Sequence, residues 1–490
     1  MSSSHQHGAV EARSFDHVPE SERGGSVRGQ AKFWFMVNAT LITAYTGAVG
    51  PLFGMGLPAT VLAIVVGTLF GTLFQAFHGA QGPHMGLPQM IQSRVQFGSR
   101  GAILPIAVAA VVPIGFAVFY LQTGGGAAAS VLPGTFEAWQ LGLGVLAGVL
   151  AIVGYRLILA AEGVIAYVML ANLVALTVAA VTVLPLGDLA ADGSWSAVGF
   201  LAQFGASAGY QIAIAPIVSD YTRYLPSSTR SAAVSAAVFV GTVCSALWIE
   251  VLGAAVSLSY PDLDVVVAIG TMGDAWGFGL GTVTMVVAAI VCLVTAAVSV
   301  YSGTVSLLSG AEAFKAFAST PALRAWTISI ATVLVIAAAL ALPGDVLLSF
   351  STFLLLLGYL LIPWTAVNLT DYYLVRRGVY SVSDILRTDG GIYGRWGVRG
   401  MASYGLGVLC MVPFVSTTLY TGPVAASLGG ADIAFAVGLV VSGTCYALLM
   451  RSVDLASERA QVSSAEIATG RLGRTSRPSD SAGLAEGSPA

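Results

Sequence analysis

The sequence predicts an all-α polytopic membrane protein with about twelve transmembrane helices. Of its 490 residues, 56% are hydrophobic and only 9% are charged, whereas soluble domains carry roughly 25% charged residues. Apolar stretches of about 20 residues, the length that crosses a hydrocarbon layer about 30 Å thick, repeat along most of the chain. In lipid such stretches form helices, because a helix satisfies its own backbone hydrogen bonds. No segment is polar and long enough to form a soluble enzyme domain.

The predicted spans are bounded by polar residues or by proline and glycine. They lie at residues 33–57, 59–79, 102–123, 139–156, 163–185, 199–218, 233–258, 279–309, 325–342, 346–369, 402–421 and 432–450. Residues 1–31 and 452–490 are rich in serine, glycine and charged residues, and are predicted to be disordered cytoplasmic tails. The N-terminal tail is polar and does not have the pattern of a cleaved signal peptide.

The distribution of charge predicts the orientation. If the N-terminus is cytoplasmic, all 21 Lys and Arg residues fall in cytoplasmic segments. The loops on the opposite side carry only acidic residues, namely Glu137, Asp188, Asp192, Asp262, Asp264, Asp274, Asp345 and Asp432. Basic residues concentrate on the cytoplasmic side of membrane proteins. The pattern therefore supports twelve spans, with both termini cytoplasmic, in a multi-pass protein of the plasma membrane.

The residues that usually bind metals or perform catalysis are sparse. The four cysteines lie inside predicted spans without the paired spacing of a disulfide or zinc site, and are interpreted as packing residues. His78 and His84 flank the end of the second span and are interpreted as solvated side chains. No nucleophile and base are spaced as in a known catalytic motif, so the sequence predicts neither an enzyme nor a cofactor.

Two predicted spans contain small residues and a proline, which indicate interrupted helices. The first contains Thr46–Pro51, and the sixth contains Gly205–Gln211 followed by Pro216. Interruptions are tolerated in a membrane where they line a cavity in the protein. Interruptions at corresponding positions of two inverted repeats are typical of the binding site of a secondary transporter. Small residues also let helices pack closely, and close packing alone is the alternative.

Three blocks of sequence are long enough to compare with known families. Residues 82–98, after the second span, read GPHMGLPQMIQSRVQFG, and residues 215–226 read APIVSDYTRYLP. Residues 363–373 read PWTAVNLTDYY and are followed by RRGVY at 376–380. In order and spacing these blocks resemble the nucleobase:cation symporter family, specifically its purine-cytosine permease branch. The resemblance covers roughly residues 30–450.

The resemblance implies a leucine-transporter-like fold. Residues 32–185 would form a first repeat of helices 1–5, residues 199–370 an inverted second repeat of helices 6–10, and residues 401–451 two additional helices. It also implies alternating access driven by a cation gradient. The expected partners are a small nucleobase-like substrate and the lipid bilayer. Neither nucleic acid nor an obligate protein partner is expected.

The resemblance further implies where the substrate binds, because the family holds the base mainly with helices one, three, six and eight. In span three, Gln122 lies where the family commonly has an Asn or Gln, and its amide both donates and accepts hydrogen bonds. Tyr210 and Gln211 lie in the predicted interruption of span six, where capping of freed backbone groups is the alternative role. The predicted substrate-binding residues are Gln122, Phe119, Tyr210, Gln211, Phe204, Ser207, Thr46 and Gly47, with Thr43 and Tyr45 as weaker candidates.

The chain departs from the family pattern at two places. Val118 stands where the family often has a tryptophan, so stacking on the base is expected from Phe119, Tyr120, Phe204 or Tyr210. Residues 296–301 read AAVSVY where the family often has Asn-x-x-Asn-x-Tyr. The loss of both amides disfavours a cytosine-like substrate, because an unmatched ring edge loses discrimination.

The coupling cation is predicted to be H⁺ or Na⁺. In sodium-coupled members, carbonyls of helix one and hydroxyls of helix eight surround the ion, and Thr295 with Ser299 would supply hydroxyls to a Na⁺ site at Thr295. Thr295 can equally bond to its own helix. Glu250 is a carboxylate well inside span seven, which is costly and indicates either a proton carrier or a hydrogen-bonded structural residue.

Two acidic residues lie at cytoplasmic helix ends beside arginines. Asp220 lies near Arg223, and Asp371 lies near Arg376, so both are interpreted as gate or structural ion pairs.

The sequence therefore predicts a symporter that imports a nucleobase or related small heterocycle, of purine or cytosine type. One alternative is a transporter of the same fold for another solute, such as an allantoin-like compound, a vitamin precursor or an amino acid. A channel or receptor is the alternative of another class, although channels usually line a pore with rings of polar residues.

Overall fold

The computed structural model describes residues 17–153, 155–312, 320–342 and 345–468. The main helices are α1 (Val27–Asn38 and Leu41–Gly47), α2 (Leu57–Gly79), α3 (Ile103–Val131), α4 (Phe136–Val153), α5 (Tyr155–Val183), α6 (Ala197–Ile214), α7 (Ser231–Ser259), α8 (Leu280–Glu312), α9 (Pro321–Ala341), α10 (Val346–Leu369), α11 (Val398–Met411), α12 (Ala434–Met450) and α13 (Leu455–Ala468). Short helices link them at Val49–Leu52, Gln81–Met85, Gln89–Gln92, Arg94–Phe97, Leu186–Ala191, Val218–Thr222, Val265–Trp276, Val382–Ile385 and Pro423–Ser427.

Within these described ranges, nine helices, α2 to α10, are long and apolar enough to cross a membrane. The other three predicted spans are shorter or divided. The first is broken, α11 has 14 residues and α12 has 17 residues, and α12 meets α13 at a bend of 84°. The all-α membrane architecture is confirmed, while the number twelve stays a prediction.

The two ends of the helix bundle differ in charge. One end, which we call the basic face, carries the arginines of the loops, and there the Arg100 backbone N–H donates a hydrogen bond to the Arg395 carbonyl (2.9 Å). The other end, the acidic face, carries the predicted acidic loops. The helices that matter for the site are α1, α2, α6 and α7, which pack together, and α3 and α10, which close the opposite side.

The break in α1 is not where the sequence predicted it. Thr46 and Gly47 are helical, and the main break lies earlier, at Ala39 and Thr40, where Thr40 is extended (φ −136°, ψ 156°). The Thr43 hydroxyl donates to the Asn38 carbonyl (2.7 Å), so a local side-chain bond replaces the helical one. Only a minor interruption, at Ala48, falls in the predicted segment.

The break in α6 is also displaced. Gly205–Gln211 is helical, and the interruption follows Ile214 as a 3₁₀ turn at Ala215–Ile217. Pro216 causes it, because proline has no N–H and its ring clashes with the preceding turn. Gly205 and Gly209 instead face α10, where a Cβ on Gly209 would lie 3.0 Å from the Leu354 carbonyl oxygen. For these glycines the close-packing alternative is correct.

Part of each predicted tail is ordered, so the predicted boundaries 1–31 and 452–490 are wrong. Before α1, Val18 and Arg23 are buried, and the Arg23 guanidinium donates to the carbonyls of Val18 (2.9 Å) and Pro83 (2.7 Å). After α12, residues 455–468 form α13. These segments cannot form a core of their own, and they are ordered here because Arg23 and Glu458 bond to residues of the helix bundle. Residues 1–16 and 469–490 lie outside the described residues.

Candidate functional site

Aromatic side chains from four helices meet in the middle of the bundle. Phe119 of α3 lies 5.0 Å from Phe350 of α10 between ring centroids, and Phe116 of α3 lies 5.7 Å from Tyr210 of α6. Tyr45 of α1 lies 6.2 Å from Phe350. Most of these contacts are edge to face, the favourable geometry for aromatic pairs. We call Tyr45, Phe116, Phe119, Tyr210, Phe350 and Phe353 the aromatic cluster.

The break in α1 supplies polar groups beside this cluster. The Thr43 hydroxyl lies 3.0 Å from the Tyr210 hydroxyl and 3.4 Å from that of Thr40. Asn38, at the end of the first half of α1, is fully buried, and its side-chain oxygen has no hydrogen-bond partner. Aromatic faces next to hydroxyls and an unused amide oxygen can bind a flat polar ring by stacking and by hydrogen bonds.

The structure brings together Phe119, Tyr210, Thr43 and Tyr45 of the predicted candidates. It adds Phe116, Phe350, Phe353 and Asn38, which sequence reasoning missed. Phe116 carried a weak signal, because it lies three residues before Phe119 on the same face of α3. Phe350 and Phe353 carried none, since they are apolar residues in an apolar span.

A second group of polar side chains surrounds Glu250. Its Oε2 accepts hydrogen bonds from Ser207 of α6 (2.6 Å) and Thr68 of α2 (3.3 Å). The Gln203 amide nitrogen donates to Ser207 (2.9 Å) and to the Thr46 carbonyl (2.8 Å). Glu250 is fully buried, and its Oε1 has no partner. We call Thr68, Gln203, Ser207 and Glu250 the Glu250 network.

The Glu250 network holds the second half of α1 against α6 and α7. Gln203 also accepts a bond from the Gly50 N–H (2.7 Å), so one amide binds the chain on both sides of Ala48. A Cβ atom on Gly47 would lie 1.8 Å from the Glu250 carbonyl oxygen, so only glycine allows this approach. Ser207, Thr46 and Gly47, predicted to bind substrate, therefore lie with the predicted proton carrier. Gln203 was missed, although an amide four residues before Ser207 in an apolar span was a signal.

Gln122 lies in a different group. Its amide nitrogen donates to the Ala339 carbonyl of α9 (2.7 Å), and its amide oxygen accepts from Gln140 of α4 (2.7 Å). Both polar atoms of a buried amide are thus engaged within the protein, and the side chain links α3 to α4 and α9.

Phe204 and Gln211 also differ from expectation. Phe204 packs against Phe435 of α12 (4.8 Å) and Phe70 of α2 (5.4 Å), away from the aromatic cluster. It lines a small, mostly apolar pocket between α2, α6, α10 and α12. Gln211 is fully buried, and neither its amide nitrogen nor its amide oxygen has a partner.

The two predicted sodium ligands both lie on α8. The Thr295 hydroxyl donates to the Val291 carbonyl of its own helix (2.8 Å), which is the alternative anticipated for it. Ser299 is buried on the same helix.

Asp371 forms the centre of a buried group at the basic face. Its carboxylate accepts bonds from Arg376 (2.5 Å), Gln96 (2.7 Å), Tyr446 (2.9 Å) and Tyr380 (3.0 Å). Burial, together with the Asp371 carboxylate, raises the pKa of Tyr380 well above its usual value, so this hydroxyl stays a donor. The ion pair predicted for Asp371 is present. We call these five residues the Asp371 clamp.

The other predicted pair lies nearby with a different geometry. The Asp220 carboxylate accepts a bond from the Gln89 backbone N–H (2.9 Å), and Arg223 donates to the Asp220 carbonyl (3.1 Å). Both residues therefore fix the loop that carries the first family-like block against the end of α6.

The interpretation of His78 as a solvated residue is wrong. His78 is fully buried, and its ring stacks on Trp364 of α10 (4.6 Å, 8° between planes). Its Nδ1 lies 3.1 Å from the Gln89 amide nitrogen, which can only donate, so Nδ1 accepts. Nε2 then carries the proton and donates to the Thr365 hydroxyl (2.9 Å).

Comparison with solved structures shows which known fold this architecture resembles. The fold is similar to the inward-facing conformation of Mhp1, with a TM-score of 0.72 and 18% identity over 92% of this chain and 97% of that one. It is also similar to Mhp1, a nucleobase-cation-symport-1 family transporter, in a closed conformation with bromovinylhydantoin bound (TM-score 0.68, 19% identity, 93% and 100% coverage). These similarities confirm the leucine-transporter-like fold.

Sequence comparison extends the similarity to curated relatives. YxlA of Bacillus subtilis is 34% identical over 452 residues, which cover 90% of this chain and 96% of that protein. The purine-cytosine permease fcyB of Emericella nidulans is 24% identical, covering 90% and 88%. The purine-cytosine permease FCY2 of Saccharomyces cerevisiae is also 24% identical, covering 90% and 85%.

A family model described as permease for cytosine/purines, uracil, thiamine, allantoin matches residues 17–438. The match spans all three blocks of sequence and both broken helices. The family consists of transporters rather than enzymes. The chain therefore belongs to this permease family, as the resemblance implied.

Proposed function

We propose that this protein imports a nucleobase or related small heterocycle, of purine or cytosine type, by symport with H⁺. The observation that carries the proposal is the aromatic cluster at the α1 break, with the unpartnered side-chain oxygen of Asn38 beside it. The names of fcyB and FCY2 as purine-cytosine permeases, and the bromovinylhydantoin bound to Mhp1, support a flat heterocyclic substrate.

In this proposal the base stacks among the rings of the aromatic cluster. Its polar edge bonds to the hydroxyls of Thr43 and Tyr210 and to the side-chain oxygen of Asn38. Asn38 is buried without a partner for that oxygen, and such an atom costs about 1–3 kcal/mol until it is satisfied. A substrate N–H group at this position removes the cost, which favours bases over apolar rings.

Glu250 carries the coupled proton in this proposal. Its carboxyl is buried, its Oε2 accepts hydrogen bonds from two hydroxyls, and its Oε1 has no partner, so a proton on Oε1 displaces no bond of the network. Through Gln203 and Gly47 it also holds the second half of α1. Protonation therefore changes the strength of the hydrogen bonds that fix α1, and α1 in turn carries part of the substrate site. This linkage is what a symporter requires, since proton and substrate must favour the same state.

Sodium is the less favoured ion. A hard cation requires several oxygen ligands, and the Thr295 hydroxyl that the family pattern offers is directed at Val291.

We further propose that the basic face is cytoplasmic, with both termini inside and the protein in the plasma membrane. The support is the positive-inside rule, applied to loops whose basic residues all share one side.

Uptake into proteoliposomes tests the proposal. Labelled purines, cytosine, uracil, allantoin and thiamine are offered under an inward proton gradient, an inward sodium gradient, or neither. The proposal expects accumulation of a purine or cytosine under the proton gradient alone. Accumulation of allantoin or thiamine instead assigns the same fold to another solute, and flux that ignores every gradient contradicts symport and favours a channel.

A further inference from the structure

Four buried side chains lie between the Glu250 network and the basic face without hydrogen-bond partners. They are Thr72 and Gln75 of α2, Gln211 of α6 and Thr242 of α7, each with no exposed surface. The hydroxyls of both threonines and both amide atoms of each glutamine are unpartnered. We call these four residues the buried polar seam.

The packing of α2 against α6 places two of them in one groove. A Cβ on Gly67 would lie 2.6 Å from the Phe204 carbonyl oxygen, and one on Gly71 would lie 2.4 Å from that of Ala208. The two helices therefore run in the same direction at close distance. Thr68 and Ser207 both bond to Glu250, and Gln75 and Gln211 follow them along the same faces, seven and four residues later.

The third helix brings Thr242 to the same groove. The Ser235 hydroxyl of α7 donates to the Ala76 carbonyl of α2 (3.0 Å), so α7 lies beside α2 at the level of Gln75. Glu250 marks the next contact of α7 with α2. Thr242 lies between Ser235 and Glu250 on α7, about two turns from each.

The chemistry of the seam identifies its ligand. Two amides and two hydroxyls present both donors and acceptors, and only a ligand that accepts and donates satisfies them all. A metal cation would leave the amide N–H groups unpaired. A base is too large, because the close contacts at Gly67 and Gly71 bring α2 and α6 together next to the seam. Water both donates and accepts, and buried water typically makes two to four hydrogen bonds to such groups.

We propose that the buried polar seam holds a chain of ordered water that carries the coupled proton from Glu250 toward the basic face, apart from the aromatic cluster. This proposal rests on the proposed role of Glu250. The O–H bond of the Glu250 carboxyl breaks, its proton bonds to the nearest water oxygen, and that water passes one of its own protons on. Glu250 becomes a carboxylate that accepts from Ser207 and Thr68, and one proton leaves the far end of the chain.

The groups around the route fit this direction. Ser207 and Thr68 face the carboxyl from α6 and α2, and the α1 backbone at Gly47 closes the third side. The nearest titratable side chains along the seam are Tyr210, next to Gln211, and His78, three residues after Gln75. The route ends at His78, whose two ring nitrogens bond to Thr365 and Gln89. The proton leaves from there when the basic face opens during alternating access.

A double variant tests the seam. Thr72→Val with Gln75→Leu removes three of its polar atoms while keeping side-chain volume. In proteoliposomes, a pH-sensitive dye inside the vesicle reports the proton entry that accompanies proton-driven uptake. Exchange of labelled for unlabelled substrate reports binding and alternating access without net proton release. The expected result is a fall of about tenfold or more in proton-driven uptake, with exchange within about twofold of the unaltered protein. The matched control is Thr304→Val with Gln140→Leu, where both side chains have protein partners. It should leave the ratio of the two rates unchanged.

Glu250→Gln distinguishes the two proposals. If it keeps proton-driven accumulation, the role of Glu250 is wrong. If it loses accumulation while the seam variant keeps it, only the water chain is wrong. Should the seam variant not fold, infrared difference spectra of the unaltered protein after a pH jump decide the question. Bands of strongly hydrogen-bonded water that shift in H₂¹⁸O are expected, and their absence overturns the proposal.

Discussion

Two groups of buried polar residues, on different helices, differ in how fully their hydrogen-bonding atoms are satisfied. In the Asp371 clamp every carboxylate oxygen has at least two donors. In the buried polar seam, deeper in the membrane, the polar side-chain atoms have none. Native proteins rarely leave buried polar atoms unpaired. The first group therefore acts as a structural clamp, and the second is the proposed site of ordered water.

Glu250→Gln should have the largest effect on transport. Glutamine keeps an oxygen that Ser207 and Thr68 can bond to, but it cannot release a proton. Proton-driven accumulation should be lost, while substrate exchange continues. The measurement is uptake in proteoliposomes with and without a proton gradient. Undiminished accumulation contradicts the role of Glu250 as the proton carrier.

Arg376→Met should have the largest effect on stability. It leaves the Asp371 carboxylate buried with its charge unpaired, and breaking such a pair costs about 3–5 kcal/mol. Arg376 also pairs with Glu458 of α13 (2.6 Å), so α13 should become accessible to protease. Thermal unfolding in detergent measures the loss.

The double variant Asp371→Asn with Arg376→Met supplies the control. Removing both charges should cost less than removing the arginine alone, because no uncompensated charge remains. Equal losses would show that the ion pair is not what holds the clamp together.

Gln122→Ala should lower stability and leave substrate affinity unchanged. The variant removes a link between α3, α4 and α9 and leaves the Gln140 amide without its acceptor, at a cost of about 1–3 kcal/mol. The family pattern implies the opposite, a loss of affinity with little effect on stability. Binding and thermal unfolding of the same sample separate the two interpretations.

Gln122 also shows what the sequence could and could not reveal. Helix positions followed from apolar length and from the one-sided distribution of basic residues, because both depend on the bilayer. The partners of Gln122 could not be read, since the Ala339 carbonyl lies 217 positions away along the chain. The break in α1 was misplaced for a related reason. The Asn38 carbonyl accepts bonds from the Thr43 hydroxyl and the Thr40 N–H at the break, and neither a glycine nor a proline marks the position in the sequence.

The sequence identified Glu250 as a candidate more readily than the residues of the proposed substrate site. A lone carboxyl in an apolar span is conspicuous because charge in the membrane is costly. Phe116 and Phe350 are not conspicuous, since the aromatic cluster arises only when α3 and α10 meet in three dimensions. Polar exceptions in a membrane helix can thus be detected from sequence, whereas apolar binding surfaces require the fold.

Tyr210→Phe should have a moderate effect on affinity. It keeps the ring in the aromatic cluster and removes one hydroxyl, so the loss should be about 1 kcal/mol, or about fivefold in substrate binding. Thr43→Val removes the neighbouring hydroxyl and should have a similar effect. Unchanged binding in both variants would remove this hydroxyl pair from the substrate site.

Thr295→Val should have the smallest effect. The Thr295 hydroxyl bonds to the Val291 carbonyl of its own helix, and valine has nearly the same shape, so stability should change by less than about 1 kcal/mol. If transport is coupled to protons through Glu250, the rate should also be independent of sodium in both forms. Uptake measured at several sodium concentrations provides the check. A sodium-dependent rate that Thr295→Val abolishes would move the coupling site from α7 to α8, and would leave Glu250 as a structural partner of Ser207 and Thr68.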